Sequence, residues 1–186
     1  MSTLKVNTIQ EVDGTPFSRI VQVVSTKVTS ASSFALGGHQ VDTPITALDT
    51  TITSKLANSS FIYSCQVFGE IDGADHDFGV NLGREIGGSE TKYARGDANG
   101  SNDRITRTIP PGFYNNDNDS TPTCINISPI VDSPSQAAGT AIKYRINVQA
   151  LIGGSYNFYL NRTVTSNTNS TYERGCSYVT IMELAV

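Results

Sequence analysis

The chain has 186 residues, 13 of them basic and 17 acidic, and a formal net charge of −4. That length accommodates one domain with a short appendage, and mild acidity with scattered Lys and Arg excludes nucleic acid as the main partner, because phosphate binding needs a basic surface. Ser, Thr and Asn supply 55 residues and Val and Ile supply 30, against only 8 Leu. This balance favours a mostly or wholly β protein over a helical one.

Residues 1–18 are predicted to form a separate N-terminal segment. Its main apolar positions are Leu4, Val6, Ile9 and Val12. The following Asp13-Gly14 is a hairpin signal, and an isolated two-stranded hairpin is only marginally stable in water. We therefore expect this segment to become ordered against another subunit or a larger body, with a disordered N-terminus as the alternative.

From Arg19 onward, apolar and polar residues alternate in a series of short runs. The runs are Ile20–Val28, Ile45–Ser54, Phe61–Ile71, Phe78–Leu82, Thr123–Val131, Ile142–Ala150, Tyr156–Leu160 and a closing run from Cys176. Such alternation is typical of antiparallel strands with one buried face. Eight or nine of these strands predict an all-β head domain over residues 19–186, an antiparallel β-sandwich most simply arranged as a jelly roll.

The connections carry three further expectations. The polar run Ile45–Ser54 is predicted to be an edge strand, and Gly153-Gly154 to form a tight hairpin between two strongly patterned strands. Gly87–Ser101 and Pro110–Ser120 are rich in Gly, Asn and Asp and are predicted to be long loops. Loops of this kind are either recognition surfaces or solvated connectors.

No catalytic constellation stands out in the sequence. His39 and His76 are the two histidines, and neither lies in a motif that pairs it with a nucleophile. The acidic group Glu70, Asp72, Asp75 and Asp77 could in principle supply a glycosidase pair, but it falls between two strand-like runs and is predicted to be a solvated loop. We therefore predict a protein without enzymatic activity, because function has to be argued from a site.

Metal and thiol chemistry are likewise not expected. Oxygen-bearing residues that calcium could use are Asp72, Asp75 and Asp77; Asp97, Asn99 and Asp103; and Asp117 with Asp119. None matches an EF-hand loop, and Asn and Asp fill turns for local reasons. The three cysteines, Cys65, Cys124 and Cys176, are too widely spaced for a typical zinc site and are predicted to be buried free thiols. No cofactor is expected.

Several short motifs resemble those of one family. The opening Leu4–Gln10 is similar to the Lys-Val-Asn-Thr-Ile start of short tail-fibre and virion structural proteins of tailed bacteriophages, especially marine and cyanobacterial ones. Further similar motifs are Gly96–Ser101, Asp132-Ser133-Pro134, Tyr159-Leu160-Asn161-Arg162 and Val179–Leu184. The resemblance covers both ends and, more loosely, most of Phe61–Val186.

The resemblance implies a homotrimer of β-rich heads, held to the particle by a short N-terminal segment. Leu4–Gln10 would then be the attachment strand, and Tyr178–Leu184 a core or interface strand in which Tyr178, Ile181 and Leu184 serve oligomerisation. The chain has no extended shaft after Phe17, which favours a short fibre, knob or surface decoration over a long fibre. Such a protein would be made in the host cytoplasm and reside in the virion.

The interpretation from sequence is thus a virion structural protein that assembles with itself and with other virion proteins. No run of apolar residues reaches membrane-spanning length, and no secretory signal pattern is present. As a hypothesis, outward loops contact a host surface glycan through Tyr93, Asn99, Asn102, Phe113 and Tyr114. The alternatives are a decoration or cement protein without a receptor, a free carbohydrate-binding module and an enzyme acting on surface polysaccharide.

Overall fold

The computed structural model describes residues 19–73, 77–109, 120, 122–165 and 172–185. Those residues form twelve strands and one short 3-10 helix (Thr46–Leu48), and they contain no α-helix. The strands are β1 Ile20–Val28, β2 Ser32–Ala35, β3 Thr43–Pro44, β4 Thr50–Thr53, β5 Ser60–Ile71, β6 Phe78–Ile86, β7 Ser89–Tyr93, β8 Arg107–Thr108, β9 Thr123–Asp132, β10 Ala141–Ala150, β11 Asn157–Leu160 and β12 Ser177–Leu184.

The strands form two six-stranded antiparallel sheets. Sheet I has the order β1-β12-β5-β11-β2, with β9 also paired to β5, and sheet II has the order β3-β10-β6-β7, with β4 also paired to β10 and β8 to β6. Apolar side chains from both sheets meet in one core. The predicted all-β, jelly-roll-like sandwich is therefore confirmed for the described residues. The predicted attachment segment, residues 1–18, lies outside them.

The core follows directly from the period-two pattern of the sequence. Along β5, Phe61, Tyr63, Cys65 and Val67 are buried, while Ile62, Ser64 and Gln66 between them are partly exposed. Tyr144 of β10 faces them from sheet II, with its ring centroid 6.0 Å from those of Phe61 and Tyr63. Because successive side chains of a strand point to opposite faces, the alternation read from sequence identifies which face is buried.

The expectation of a hairpin at Gly153-Gly154 is wrong. The strand before it, β10, lies in sheet II, and the strand after it, β11, lies in sheet I. The connection therefore carries the chain from one sheet to the other. The Tyr156 ring packs edge-on against Phe78 at 4.9 Å between centroids, which places an aromatic anchor at the crossing. Alternation within two strands does not reveal whether they belong to the same sheet.

Two other expectations need correction. The run Ile45–Ser54 is not one strand, because Thr46–Leu48 forms a 3-10 turn that buries Leu48, and only β4 remains extended. Within the described strands β4 pairs with β10 alone, which agrees with the predicted edge position. The predicted loop Gly87–Ser101 begins with β7, which pairs with β6 along its whole length. The short strands β2 and β3 were not anticipated.

Candidate assembly face

An apolar row crosses four neighbouring strands on the outer side of sheet I. The pairing register places Val23 of β1 opposite Met182 of β12, Met182 opposite Ile62 of β5, and Ile62 opposite Val131 of β9. Neighbouring strands lie about 4.8 Å apart, so the row is about 14 Å long. All four side chains are aliphatic and on the face turned away from the core.

Two further apolar residues extend this row towards one end of the sheet. Ile20 pairs with Leu184, one register step beyond the row. Val23, Val131 and Ile20 are 54%, 61% and 49% exposed, and the other members are partly buried. We call Ile20, Val23, Ile62, Val131, Met182 and Leu184 together the apolar end of sheet I.

Beyond the apolar end, the outer face of sheet I becomes polar. The next row contains Ser25, Thr180 and Ser64, and the hydroxyl oxygens of Ser25 and Thr180 are 3.1 Å apart. The row after that contains Lys27 and Tyr178. The contrast matters because scattered single apolar residues are normal on a protein surface, whereas a contiguous exposed apolar patch indicates an interaction site.

The structure separates the three predicted oligomerisation residues of β12. Tyr178 is 40% exposed on the outer face, and Leu184 belongs to the apolar end. Ile181 points inward and is fully buried, so it is a core residue that another subunit cannot reach. The other four predicted residues, Leu4, Val6, Ile9 and Val12, lie outside the described residues.

Sequence reasoning missed most of the apolar end. Ile62 interrupts the alternation of β5 because both of its neighbours, Phe61 and Tyr63, are also apolar. In β9, Val131 directly follows the apolar Ile130. Such doublets of adjacent apolar residues are the signal that could have identified the patch. Recognising that they form one row requires the register of three strand pairs, which the sequence does not contain.

The predicted ligand loops also separate in the structure. Asn99 and Asn102 are exposed, whereas Phe113 and Tyr114 lie outside the described residues. Tyr93 is not in a loop: it is the last residue of β7, opposite the buried Leu82, and its ring packs edge-on at 5.9 Å from that of Tyr144. One side of the Tyr93 ring thus packs against the core while the residue stays partly exposed, and its role as a stacking surface for a ligand stays a prediction.

The hydroxyl group of Tyr93 gives a testable consequence of this burial. It has no hydrogen-bond partner within the described residues, and burial raises the pKa of Tyr93. We expect Tyr93→Phe to leave the free energy of unfolding unchanged or to raise it by up to about 1 kcal/mol, because an unsatisfied buried hydroxyl is removed. Urea denaturation monitored by circular dichroism measures the change.

Tyr144→Phe is the matched control for Tyr93→Phe. The Tyr144 hydroxyl donates to Asp132 at 2.9 Å, and that buried carboxylate also accepts from Arg84 at 2.6 Å. Removing this hydroxyl leaves the carboxylate with one partner fewer, so this variant should lose about 1–3 kcal/mol. A clear loss of stability in Tyr93→Phe would contradict the placement of Tyr93.

Two of the four acidic residues considered for catalysis, Glu70 and Asp72, hydrogen-bond to backbone groups of the fold. The Asp72 carboxylate accepts from the Asn157 backbone N–H at 2.6 Å and from its side-chain amide at 2.7 Å. Buried Glu70 accepts from the Val164 backbone N–H at 2.7 Å. Asp75 and His76 lie outside the described residues. Among the residues that are described, no three His, Cys, Asp or Glu side chains are placed to hold a metal ion together.

The three cysteines differ in environment. Cys65 is buried in β5, and burial raises the pKa of its thiol to about 11. Cys124 is exposed on β9, so the expectation of a buried thiol is wrong there, and Cys176 is partly exposed just before β12. All three are free thiols. None of the helical residues described forms a segment long and apolar enough to cross a bilayer.

Comparisons with known proteins show structural similarity at low identity. No protein-family model and no curated protein matches the chain. A structure of the infectious bursal disease virus Gx strain has a TM-score of 0.40 and 11% identity, over 98% of this chain and 42% of the viral chain. The VP2 subviral particle of infectious bursal disease virus has a TM-score of 0.36 and 12% identity, over 98% of this chain and 43% of that one.

A non-viral structure is similar to the same degree. Eiger TNF from S. frugiperda has a TM-score of 0.40 and 10% identity, over 88% of this chain and 93% of that one. The chain spans less than half the length of the viral chains it matches. The similar structures are thus virus-particle proteins and a TNF, and at TM-scores this low they carry no argument about function. They show no tail-fibre family.

Proposed function

We propose that this chain is a virion structural subunit of a tailed bacteriophage, a short tail fibre or knob that functions by assembling with copies of itself, most simply as a homotrimer. The observation that carries the proposal is the apolar end of sheet I. Its six apolar side chains adjoin across four strands, and in the single subunit Ile20, Val23 and Val131 are about half exposed or more while the other three are partly exposed. The motifs that resemble tail-fibre proteins supply the biological setting.

The energetic argument for assembly rests on closed symmetry. Burying a fully exposed aliphatic side chain contributes about 1.5–3 kcal/mol, and roughly half of that remains for a side chain already half-buried. Six such residues therefore offer on the order of 5 kcal/mol per interface before the cost of association. In a closed ring every subunit makes the same contact, so the contributions add over the whole assembly.

The N-terminal segment, residues 1–18, is connected to the head close to the apolar end of sheet I. The Arg19 carbonyl accepts a hydrogen bond from the Ala185 backbone N–H at 2.8 Å, so residues 1–18 join the head beside Ile20. That point lies at the apolar end itself. We propose that the apolar residues of the segment, which are Leu4, Val6, Ile9 and Val12, contact the apolar end of a neighbouring subunit or the particle to which the head is attached.

The mass of the intact native assembly tests the proposal. Native mass spectrometry of the full chain should give a closed oligomer, three subunits being the simplest case. Deletion of residues 1–18 should leave the circular dichroism spectrum and melting of the head intact while abolishing its incorporation into particles. A full-length chain that stays monomeric and compact at micromolar concentration would contradict the proposal.

A decoration or cement protein is the nearest alternative, because it would use the same apolar end without binding a receptor. Cryo-electron microscopy of the particle separates the two functions. Density at the tail supports a fibre or knob, and density distributed over the capsid surface supports decoration.

A further inference from the structure

A polar cleft lies where the connection between β2 and β3 meets the segment that follows β7. Its lining residues are Gln40, Arg95, Asn102, Asp103, Arg104 and Gln149, and its volume is about 180 Å³. The Gln40 backbone N–H donates to the Ala150 carbonyl at 2.9 Å, which fixes one wall against the end of β10. The Asn102 backbone N–H donates to the Asn99 carbonyl at 3.2 Å and orders the opposite rim.

The charge of the cleft is unbalanced towards positive. Arg95 and Arg104 form no ion pair within the described residues. Arg104 uses its Nε to donate to the Gly96 carbonyl at 2.7 Å, which holds the side chain in place and leaves its terminal nitrogens to face a ligand. The Nε of Arg95 is buried and has no hydrogen-bond partner within the same residues.

The one acid among the described residues that line the cleft is already engaged. Asp103 accepts a hydrogen bond from the side-chain amide of Gln40, and its carboxylate lies 3.5 Å from His39 Nε2. Two arginine side chains thus line a small open space in which this carboxylate already has other partners. An unpaired arginine with a buried, unsatisfied nitrogen is unfavourable unless an anion completes it, because guanidinium groups pair best with planar or tetrahedral oxyanions.

We propose that this cleft binds the anionic group of an acidic saccharide. The two guanidinium groups would bind a carboxylate or phosphate, and the side-chain amide of Asn102 would bind a neighbouring hydroxyl. At about 30 Å³ for each water molecule, the cleft holds roughly six waters, which suits one sugar ring rather than a larger ligand. Of the described residues that line the cleft, none is aromatic, so recognition by these residues depends on charge and hydrogen bonds instead of stacking.

Such binding would add contact with a host surface glycan, the hypothesis raised from the sequence, to the proposed fibre or knob, and it rests on that proposed function for its biological meaning. It is measured on the protein in solution, so a failure to bind would leave the assembly proposal intact. Glucuronate supplies the carboxylate, glucose 6-phosphate the phosphate, and glucose the matched neutral sugar. Isothermal titration of the full chain with each probe at millimolar concentrations should give binding for at least one anionic sugar and none for glucose.

Variants locate the binding in the cleft. Arg95→Gln and Arg104→Gln should each weaken binding by about tenfold or more, because each removes a charge-assisted contact. Arg107→Gln is the matched control, since Arg107 is exposed on β8 and does not line the cleft. Should Arg95→Gln melt below the unmodified protein, Arg104→Gln alone carries the test.

Each result of the titrations has one interpretation. Binding of glucuronate alone identifies a carboxylate ligand, and binding of glucose 6-phosphate alone identifies a phosphate ligand. In either case the affinity should fall as salt is added, because ionic contacts are screened. Equal affinity for glucose, no binding of either anionic sugar, or an equal loss in Arg107→Gln would overturn the proposal.

Discussion

Replacing both Val23 and Val131 with Lys is expected to convert the assembly into monomers. Both side chains lie at the ends of the apolar row and are more than half exposed in the single subunit. A buried, unpaired charge costs several kcal/mol, so two per subunit should raise the dissociation constant by more than about a hundredfold. Sedimentation velocity over a range of concentrations measures the shift in mass.

Lys is chosen because these two substitutions should weaken assembly without disturbing the fold of the subunit. β1 and β9 both lie at edges of sheet I, and Lys is a natural residue on edge strands. Val41→Lys is the matched control, because Val41 is 50% exposed but lies in the connection between β2 and β3. The control should retain the oligomer. An unchanged mass for the Val23→Lys, Val131→Lys double variant would show that subunits meet on another face.

Replacing Glu183 with Ala is expected to cost the head about 3–5 kcal/mol of unfolding free energy. Glu183 is fully buried at the end of β12. Its carboxylate accepts from the backbone N–H groups of Lys55 and Leu56 at 2.9 and 3.0 Å, from the Ser59 hydroxyl at 2.6 Å and from the Gln22 amide at 2.5 Å. Gln22 also donates to the Thr53 carbonyl, and the Ser59 hydroxyl can donate to the Leu56 carbonyl at 3.1 Å. The two backbone N–H groups would therefore lose the most.

The control for this variant is Glu85→Ala. Glu85 is on the partly exposed face of sheet II and pairs with Lys143 at 2.8 Å. Partly exposed ion pairs contribute little, so this variant should lose no more than about 1 kcal/mol. Equal losses for the two variants in urea denaturation would contradict the structural role given to Glu183.

The same carboxylate predicts how stability depends on pH. Burial alone would raise the pKa of Glu183, but hydrogen bonds from Ser59, Leu56, Lys55 and Gln22 outweigh it and lower the pKa. The unfolded chain then binds this proton more readily, with an ordinary pKa of about 4.3. The stabilisation is therefore complete above that pH and is lost as the pH falls through the lower pKa of the folded state.

Glu183→Gln tests this pH dependence because it keeps the shape and removes the titration. The stability difference between the unmodified protein and this variant should be largest at neutral pH and should shrink below about pH 4. A difference that stays constant over this range would show that Glu183 does not titrate as described.

The sequence predicts the features of this fold that follow from local residue patterns, and it does not predict those that depend on which strands pair. The strand at Ile142–Ala150 and the core positions of β5 follow from alternation, which is local. The Gly153-Gly154 connection was misread because two alternating strands look the same whether they share a sheet or face each other. The strand Ser32–Ala35 was missed because its polar composition carries no apolar period.

The candidate assembly face could be predicted only in part, for the same reason. The sequence analysis singled out β12, and a spacing of three residues places Ile181 and Leu184 on opposite faces of a strand, but which of the two faces the core does not follow from that spacing. Val23, Met182, Ile62 and Val131 come from four separate parts of the chain. Each is unremarkable alone, and only strand pairing across the sheet makes them neighbours.

The pairing of β1 with β12 has a consequence for biosynthesis. Ile20, the first residue of the earliest described strand, lies beside Leu184, the last residue of the latest one. A nascent chain therefore exposes β1 without its neighbour until translation has passed β12, and the head closes only afterwards. Because the patch that subunits would share draws on both strands, a product terminated before β12 lacks Met182 and Leu184, and we expect it not to join complete copies.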